Sequence, residues 1–258
     1  MLIRAATFLV VAAFFYLCYR LFRRYRFHFR HQCERAAAFL SGKKSRKSWL
    51  WFKTNIRCYQ KGAPLHHASA WKYMSVEDWV KFVKNSIAFM EPPVTAQSNV
   101  FEVGVGVGAF SKTVSELTGC THFAGIDPVE EAVVMARQVL PQGHFLVGNG
   151  LDLSAFDDNT FDHVLAAGVI MYLDDLEEAQ QFVREMIRIA KPGGSLMVNC
   201  VSEPGGQNPG SGNIFIPKEW WSVAASGAVV TSFQDMSEWT VGQKDRYAVY
   251  LTKNASRA

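Results

Sequence analysis

Short apolar runs alternate with amphipathic stretches through the second half of the chain. Val100-Phe-Glu-Val103 is the first run, and glycines at 104, 106 and 108 end it. Ser111 to Thr118 follows as a helix-compatible segment. Thr121 to Ile126 is a second run closed by Asp127, and Val129 to Leu140 alternates apolar and polar faces as a helix does. His144 to Val147, Phe161 to Ala167 and Ser195 to Val201 predict three more strands. Asp175 to Ala190 predicts a long amphipathic helix that Lys191-Pro-Gly-Gly194 stops. Val229 to Phe233 and Tyr247 to Thr252 supply two last strands. Strands in alternation with helices predict an α/β fold: a doubly wound, mainly parallel sheet with helices on both faces. Upstream, Val76, Trp79, Val80, Phe82, Val83 and Ile87 line one face of a helix capped by Ser75, with Asp78 three positions on. Pro92-Pro93 ends that segment.

The N-terminus has a different pattern. Ala5 to Tyr19 is apolar and uncharged. As a helix it spans roughly 22 Å at about 1.5 Å per residue, short of a hydrocarbon core of about 30 Å. Leu2, Ile3, Leu21 and Phe22 lengthen it to a span if Arg4 and Arg20 snorkel. The expectation is a membrane anchor over residues 1–24, joined by a basic linker (25–50) to a helical cap (51–94) and a main domain (95–254). A cleaved mitochondrial presequence and a cleaved secretory signal are the alternatives. The basic flank follows the span, so an anchored body faces the cytosol.

Charge sharpens this division. The formal net charge is +4, from 27 basic and 23 acidic residues. Arg4, Arg20, Arg23, Arg24, Arg26 and Arg30 all precede the first acid, Glu34, so the excess belongs to the N-terminal segment. The body has no basic stripe that would track a phosphate backbone, which argues against nucleic acid as a partner. The five cysteines are scattered without CxxC spacing, which excludes a disulfide framework or a cysteine-based zinc site. His66 and His67 have no convincing metal partners, and no metal is expected.

Candidate chemistry gathers at the first turn. Strand, glycine-rich turn and helix form the order of a nucleotide-binding unit, and glycine lets the backbone approach a ligand that a Cβ would block. Asp127, ending the second strand, is placed to accept hydrogen bonds from ribose hydroxyls. Glu102-x-Gly104-x-Gly106-x-Gly108, Asp127, the run Phe156 to Asp162 and Ala190-Lys-Pro-Gly-Gly194 come in order at sensible spacing. Over roughly residues 95 to 201 the chain resembles the class I S-adenosylmethionine-dependent methyltransferases, most closely the small-molecule, type 11 group. The resemblance implies a Rossmann-like sheet of seven strands with the last antiparallel, and S-adenosylmethionine as cofactor. It implies cofactor contacts at Glu102, Gly104, Gly106, Gly108, Asp127, Asn149, Gly150 and Gly168.

Gly104-x-Gly106-x-x-Ala109 also satisfies the dinucleotide fingerprint of a nicotinamide dehydrogenase. Glu102 is poor company for a pyrophosphate and suits a cationic ligand, which favours the methyltransferase reading. Asn149 stands where the family commonly has an aspartate near adenine; a plain turn residue is the rival role. No side chain announces itself as a general base; His66, His67, Tyr59 and Tyr73 are candidates that packing explains as well. The chain after the fourth strand, Gly168 to Tyr172, lacks the Asn-Pro-Pro-aromatic motif of amino-methylating enzymes of DNA. Trp220 or Trp221 is a candidate to close the pocket. The expected activity is methyl transfer to a small, lipophilic acceptor. Protein methylation and cofactor binding without catalysis are the alternatives.

Overall fold

The computed structural model describes residues 53–57, 59, 62–69, 71–201, 214–239 and 246–255. The anchor and linker expected over 1–24 and 25–50 lie outside them. No helix among the described residues is long and apolar enough to cross a membrane.

The apolar runs become strands: β1 (Asn99–Val103), β2 (His122–Asp127), β3 (His144–Val147), β4 (Phe161–Ala166), β5 (Ala190–Val201), β6 (Ala228–Asp235) and β7 (Arg246–Lys253). They form one sheet in the order β3-β2-β1-β4-β5-β7-β6. β1 to β5 pair in parallel, and β7 runs antiparallel to both β5 and β6. Strand order reverses at β1, where the chain steps to β2 on one side and β4 on the other. In open α/β sheets that crevice, beyond the carboxyl ends of the strands, is where ligands bind.

The helices are α1 (Val76–Ala88), α2 (Ala109–Thr118), α3 (Glu130–Val139), α4 (Leu176–Ile189) and the short α5 (Trp221–Ala224). Ser75 caps α1 as its sequence predicts, accepting from the Asp78 amide at 3.0 Å. Asp175 caps α4 by accepting from Glu177 and Glu178. One sheet face buries Phe101, Val164, Val198 and Val249 against Phe182, Val183 and Met186 of α4. The opposite face packs on α1 and α2. There the Tyr250 hydroxyl donates to the Ser86 carbonyl at 2.9 Å, and the Trp79 indole donates to Thr113 at 2.9 Å. At the amino ends of the strands the buried His163 ring bridges Ser195 and Ser98 at 2.8 and 3.1 Å. Burial pushes this imidazole down to about 4, so it is a neutral cross-strand tie.

Two elements differ from the sequence reading. Lys191-Pro-Gly-Gly194 does not form a separate turn: β5 already begins at Ala190, and its register against β4 shifts between Phe161 and His163. The glycines make this irregular strand start possible, because a Cβ on Gly194 would sit 2.9 Å from the Asp162 and Lys191 carbonyl oxygens. Trp221 lies in the core rather than over the glycine turn. It is wholly buried, donating from its indole to the Tyr247 hydroxyl at 2.8 Å, and that hydroxyl donates to the Ile216 carbonyl.

Gly108 precedes α2 with φ at +79°, and an added Cβ would lie 3.3 Å from the Ala136 Cα on α3. Gly108→Ala is therefore expected to cost roughly 1–3 kcal/mol, from left-handed strain plus displacement of α3. Urea midpoints of the two proteins measure it; an unchanged midpoint would contradict this account of the α2–α3 approach.

Candidate functional site

The site is built from the turn that joins β1 to α2. Glu102 lies in β1, opposite Gly125 of β2, and its side chain is buried. Its Oε2 accepts from both the amide and the hydroxyl of Ser111, in the first turn of α2. Three glycines then take left-handed conformations, with φ of +73° at Gly104, +53° at Gly106 and +79° at Gly108. Gly104 and Val105 donate to the Ile126 carbonyl, which ties the turn to the end of β2. Asp127 completes the arrangement. Its Oδ2 accepts from the Gly106 amide at 2.9 Å and its Oδ1 from the Val129 amide at 2.8 Å.

Glu102, Gly104, Gly106, Gly108 and Asp127 are thus drawn into one connected unit at the carboxyl ends of β1 and β2. Both carboxylates are buried, at 2% and 8% exposure, and neither has a cationic partner among the described residues. Burial pushes Glu102 up to about 8, against the lowering effect of the two Ser111 hydrogen bonds, and Asp127 adds a repulsive contribution. Burial likewise pushes Asp127 up to about 6, against its two amide donors. Uncompensated buried carboxylates are costly. Burial keeps Glu102 protonated at neutral pH and Asp127 ionised; a cation entering here would favour the ionised form of both, whereas a pyrophosphate would meet the Asp127 charge. The donor set therefore fits a ligand with a cationic end and a diol.

The remaining residues implied by the resemblance lie in different surroundings. Asn149 is exposed, and its Oδ1 accepts from the Leu151 amide at 2.9 Å, so in this structure the side chain closes its own turn. Gly150 is required by packing: a Cβ would sit 2.4 Å from the Phe182 ring and 2.5 Å from a Val103 methyl. Gly168 ends β4 in a left-handed conformation, with φ at +74°, and faces the Trp71 indole, 3.1 Å from where a Cβ would project.

Sequence reasoning flagged the aromatic segment before α1 but not its contacts. A 3-10 turn, Leu65–Ser69, places the Ser69 Oγ 3.2 Å from the Cβ position of Gly106. Trp71 packs on Phe82 with ring centroids 4.8 Å apart. His66 is buried, stacks on Trp79 at 5.0 Å and bonds through Nε2 to the Met74 carbonyl at 3.0 Å. His67 shares that carbonyl at 3.4 Å, and Tyr59 donates to the Ala63 carbonyl. These candidate bases hold the cover in place. Among the described residues no cluster of histidine, cysteine and acid is grouped to hold a metal ion.

The chain is similar to known proteins. Residues 101–198 match the family model described as a methyltransferase domain. A demethylmenaquinone methyltransferase of Listeria welshimeri is 30% identical over 131 residues, covering 48% of this chain and 53% of that protein. A norajmaline N-methyltransferase of Rauvolfia serpentina is 31% identical over 114 residues, 42% of this chain and 37% of its own. The chain spans about half the length of the first of these curated relatives. In fold it is similar to the N-methyltransferase NodS of Bradyrhizobium japonicum, solved in complex with S-adenosyl-L-homocysteine. The TM-score is 0.56 with 15% identity, over 80% of this chain and 97% of that one.

The raised carboxyl groups give the site a pH signature. The folded state holds the Glu102 proton up to about pH 8, whereas the unfolded chain releases it near 4.5. Stability from this group is complete below pH 4.5 and is lost as pH rises towards 8, on the order of 4 kcal/mol. Glu102→Gln, which cannot ionise, is expected to melt above the wild type at pH 8 and beside it at pH 5. Thermal melts at both pH values check this; an equal difference at both would remove Glu102 as the source.

Proposed function

Residues 101–198 being a class I S-adenosylmethionine-dependent methyltransferase domain, we propose that the chain methylates a small, lipophilic acceptor. The observation behind this reading is the pair of buried, unpaired carboxylates around the glycine turn. When bound there, S-adenosylmethionine supplies an activated methyl group on a sulfonium. Asp127 has lone pairs left for the ribose hydroxyls after accepting from Gly106 and Val129. Glu102 would stabilise the cationic end. The left-handed glycines bring backbone close to the ligand, with no side chain between.

The chain's own part in the reaction is to position and desolvate. Ser69 lies over the turn at Gly106 and Trp71 over Gly168, a cover that suits a small acceptor better than a protein chain. The matched relatives are named for demethylmenaquinone and norajmaline, not for a protein or nucleic acid. The lipophilic character and a membrane tether with the domain facing the cytosol rest on Ala5 to Tyr19 and the basic residues after it.

Asp127→Ala and Gly106→Val are each expected to lower S-adenosylmethionine affinity at least tenfold by calorimetry, with circular dichroism reporting that the chain stays folded. Wild-type affinity in both folded variants would sink the cofactor assignment. For the tether, the full chain is expected to stay in the pellet on carbonate extraction of membranes; release to the supernatant would count against it.

A further inference from the structure

Asn199 is an anomaly in an otherwise apolar strand. It is wholly buried in β5, and neither its Oδ1 nor its Nδ2 has a hydrogen-bond partner among the described residues. A buried amide left unpaired costs about 1–3 kcal/mol, so a position that keeps one calls for an explanation.

Register shows where the amide sits. Asn199 pairs with Ala248 of β7, and its neighbour Val198 pairs with Ala166 of β4. Asn199 therefore lies between two small residues, Ala248 and Ala167, near the carboxyl end of β5. Alternation puts it on the face shared by Ala248, Tyr250 and Arg246, the face that packs on α1. Trp71 reaches the strands on both sides of β5: its indole abuts Gly168 just after β4, and the Arg246 guanidinium at the start of β7 lies 5.8 Å from the ring centroid. Arg246 pairs with Val201, two residues beyond Asn199 on the same face of β5. Arg246 is half-buried, forms no salt bridge with a carboxylate among the described residues, and its charge reaches Tyr172.

We propose that Asn199, Arg246 and Trp71 form the acceptor-recognition subsite, and that the acceptor is a planar, apolar molecule bearing a carboxylate or phenolate oxygen. The unpaired amide supplies a donor, the guanidinium supplies charge, and the indole supplies a stacking surface. The carboxyl-end position puts the subsite beside Gly168 and on the cofactor side of the sheet. This rests on the methyltransferase reading above, whose cofactor contacts lie on β1 and β2.

The test uses 2-naphthoate and its neutral counterpart 2-naphthamide, titrated into the full chain with S-adenosyl-L-homocysteine present and read by tryptophan fluorescence. Wild type is expected to bind the naphthoate at least tenfold more tightly than the amide. Arg246→Met and Asn199→Leu are each expected to bring the ratio within twofold, with S-adenosylmethionine affinity kept within threefold. Asn199→Leu is also expected to melt higher, because the orphaned amide is gone. Equal wild-type binding of the two probes, or a tenfold preference surviving in both variants, overturns the proposal. So does an Asn199→Leu chain that is more stable and binds the naphthoate as well as wild type, since the amide then serves only an internal water. Cofactor affinity, measured without either probe, separates the two levels. Its absence in wild type overturns the methyltransferase reading, and its presence with equal probe binding overturns only this one.

Discussion

Two carboxylates held out of water at the ends of adjacent strands constrain everything around them. Glu102 and Asp127 are buried and satisfied only by neutral donors: the Ser111 amide and hydroxyl for the first, the Gly106 and Val129 amides for the second. Those donors fix the entry of α2, the path of the glycine turn and the entry of α3. The same contacts leave both carboxyl groups without a cation among the described residues, and buried carboxyl groups favour a cationic ligand over an anionic one. Fold likeness by itself could not make that distinction, since cofactors of both signs occur on sheets of this kind.

The second organising feature is the aromatic cover. Trp71, Trp79, Phe82 and Phe110 form a continuous wall between the sheet and the segment before α1, with centroid distances of 4.8 to 6.3 Å. His66 and His67 clip the cover to the Met74 carbonyl. The wall ends at Trp71, which meets Gly168 and Arg246.

Much of the fold was legible because the sheet is buried on both faces, which leaves long apolar runs, and because α4 and α1 announce themselves by caps and by helical spacing. The Lys191-Pro-Gly-Gly194 stretch misled because proline and glycine normally punctuate. Here they mark an irregular strand start beside β4. Trp221 misled for another reason. A tryptophan beyond the last parallel strand reads as a pocket wall, but the Tyr247 hydroxyl gives its indole a partner inside the core. Gly150 is a glycine for the sake of Phe182, thirty-two positions away, a packing contact no local pattern encodes.

What the sequence determined by itself was local: strand, turn and helix order, the left-handed positions that only glycine fills easily, and the acids that flank them. These follow from short-range sterics and periodicity, so they survive reading in one dimension. What the tertiary structure decided was pairing. It showed that Asn149 spends its carbonyl on its own turn and that the histidines are clips. It also left Asn199 without a hydrogen-bond partner among the described residues and brought Arg246 close to Trp71. Whether a polar group is satisfied depends on residues that are distant in sequence and adjacent only across a sheet, and that adjacency exists only once the chain has folded.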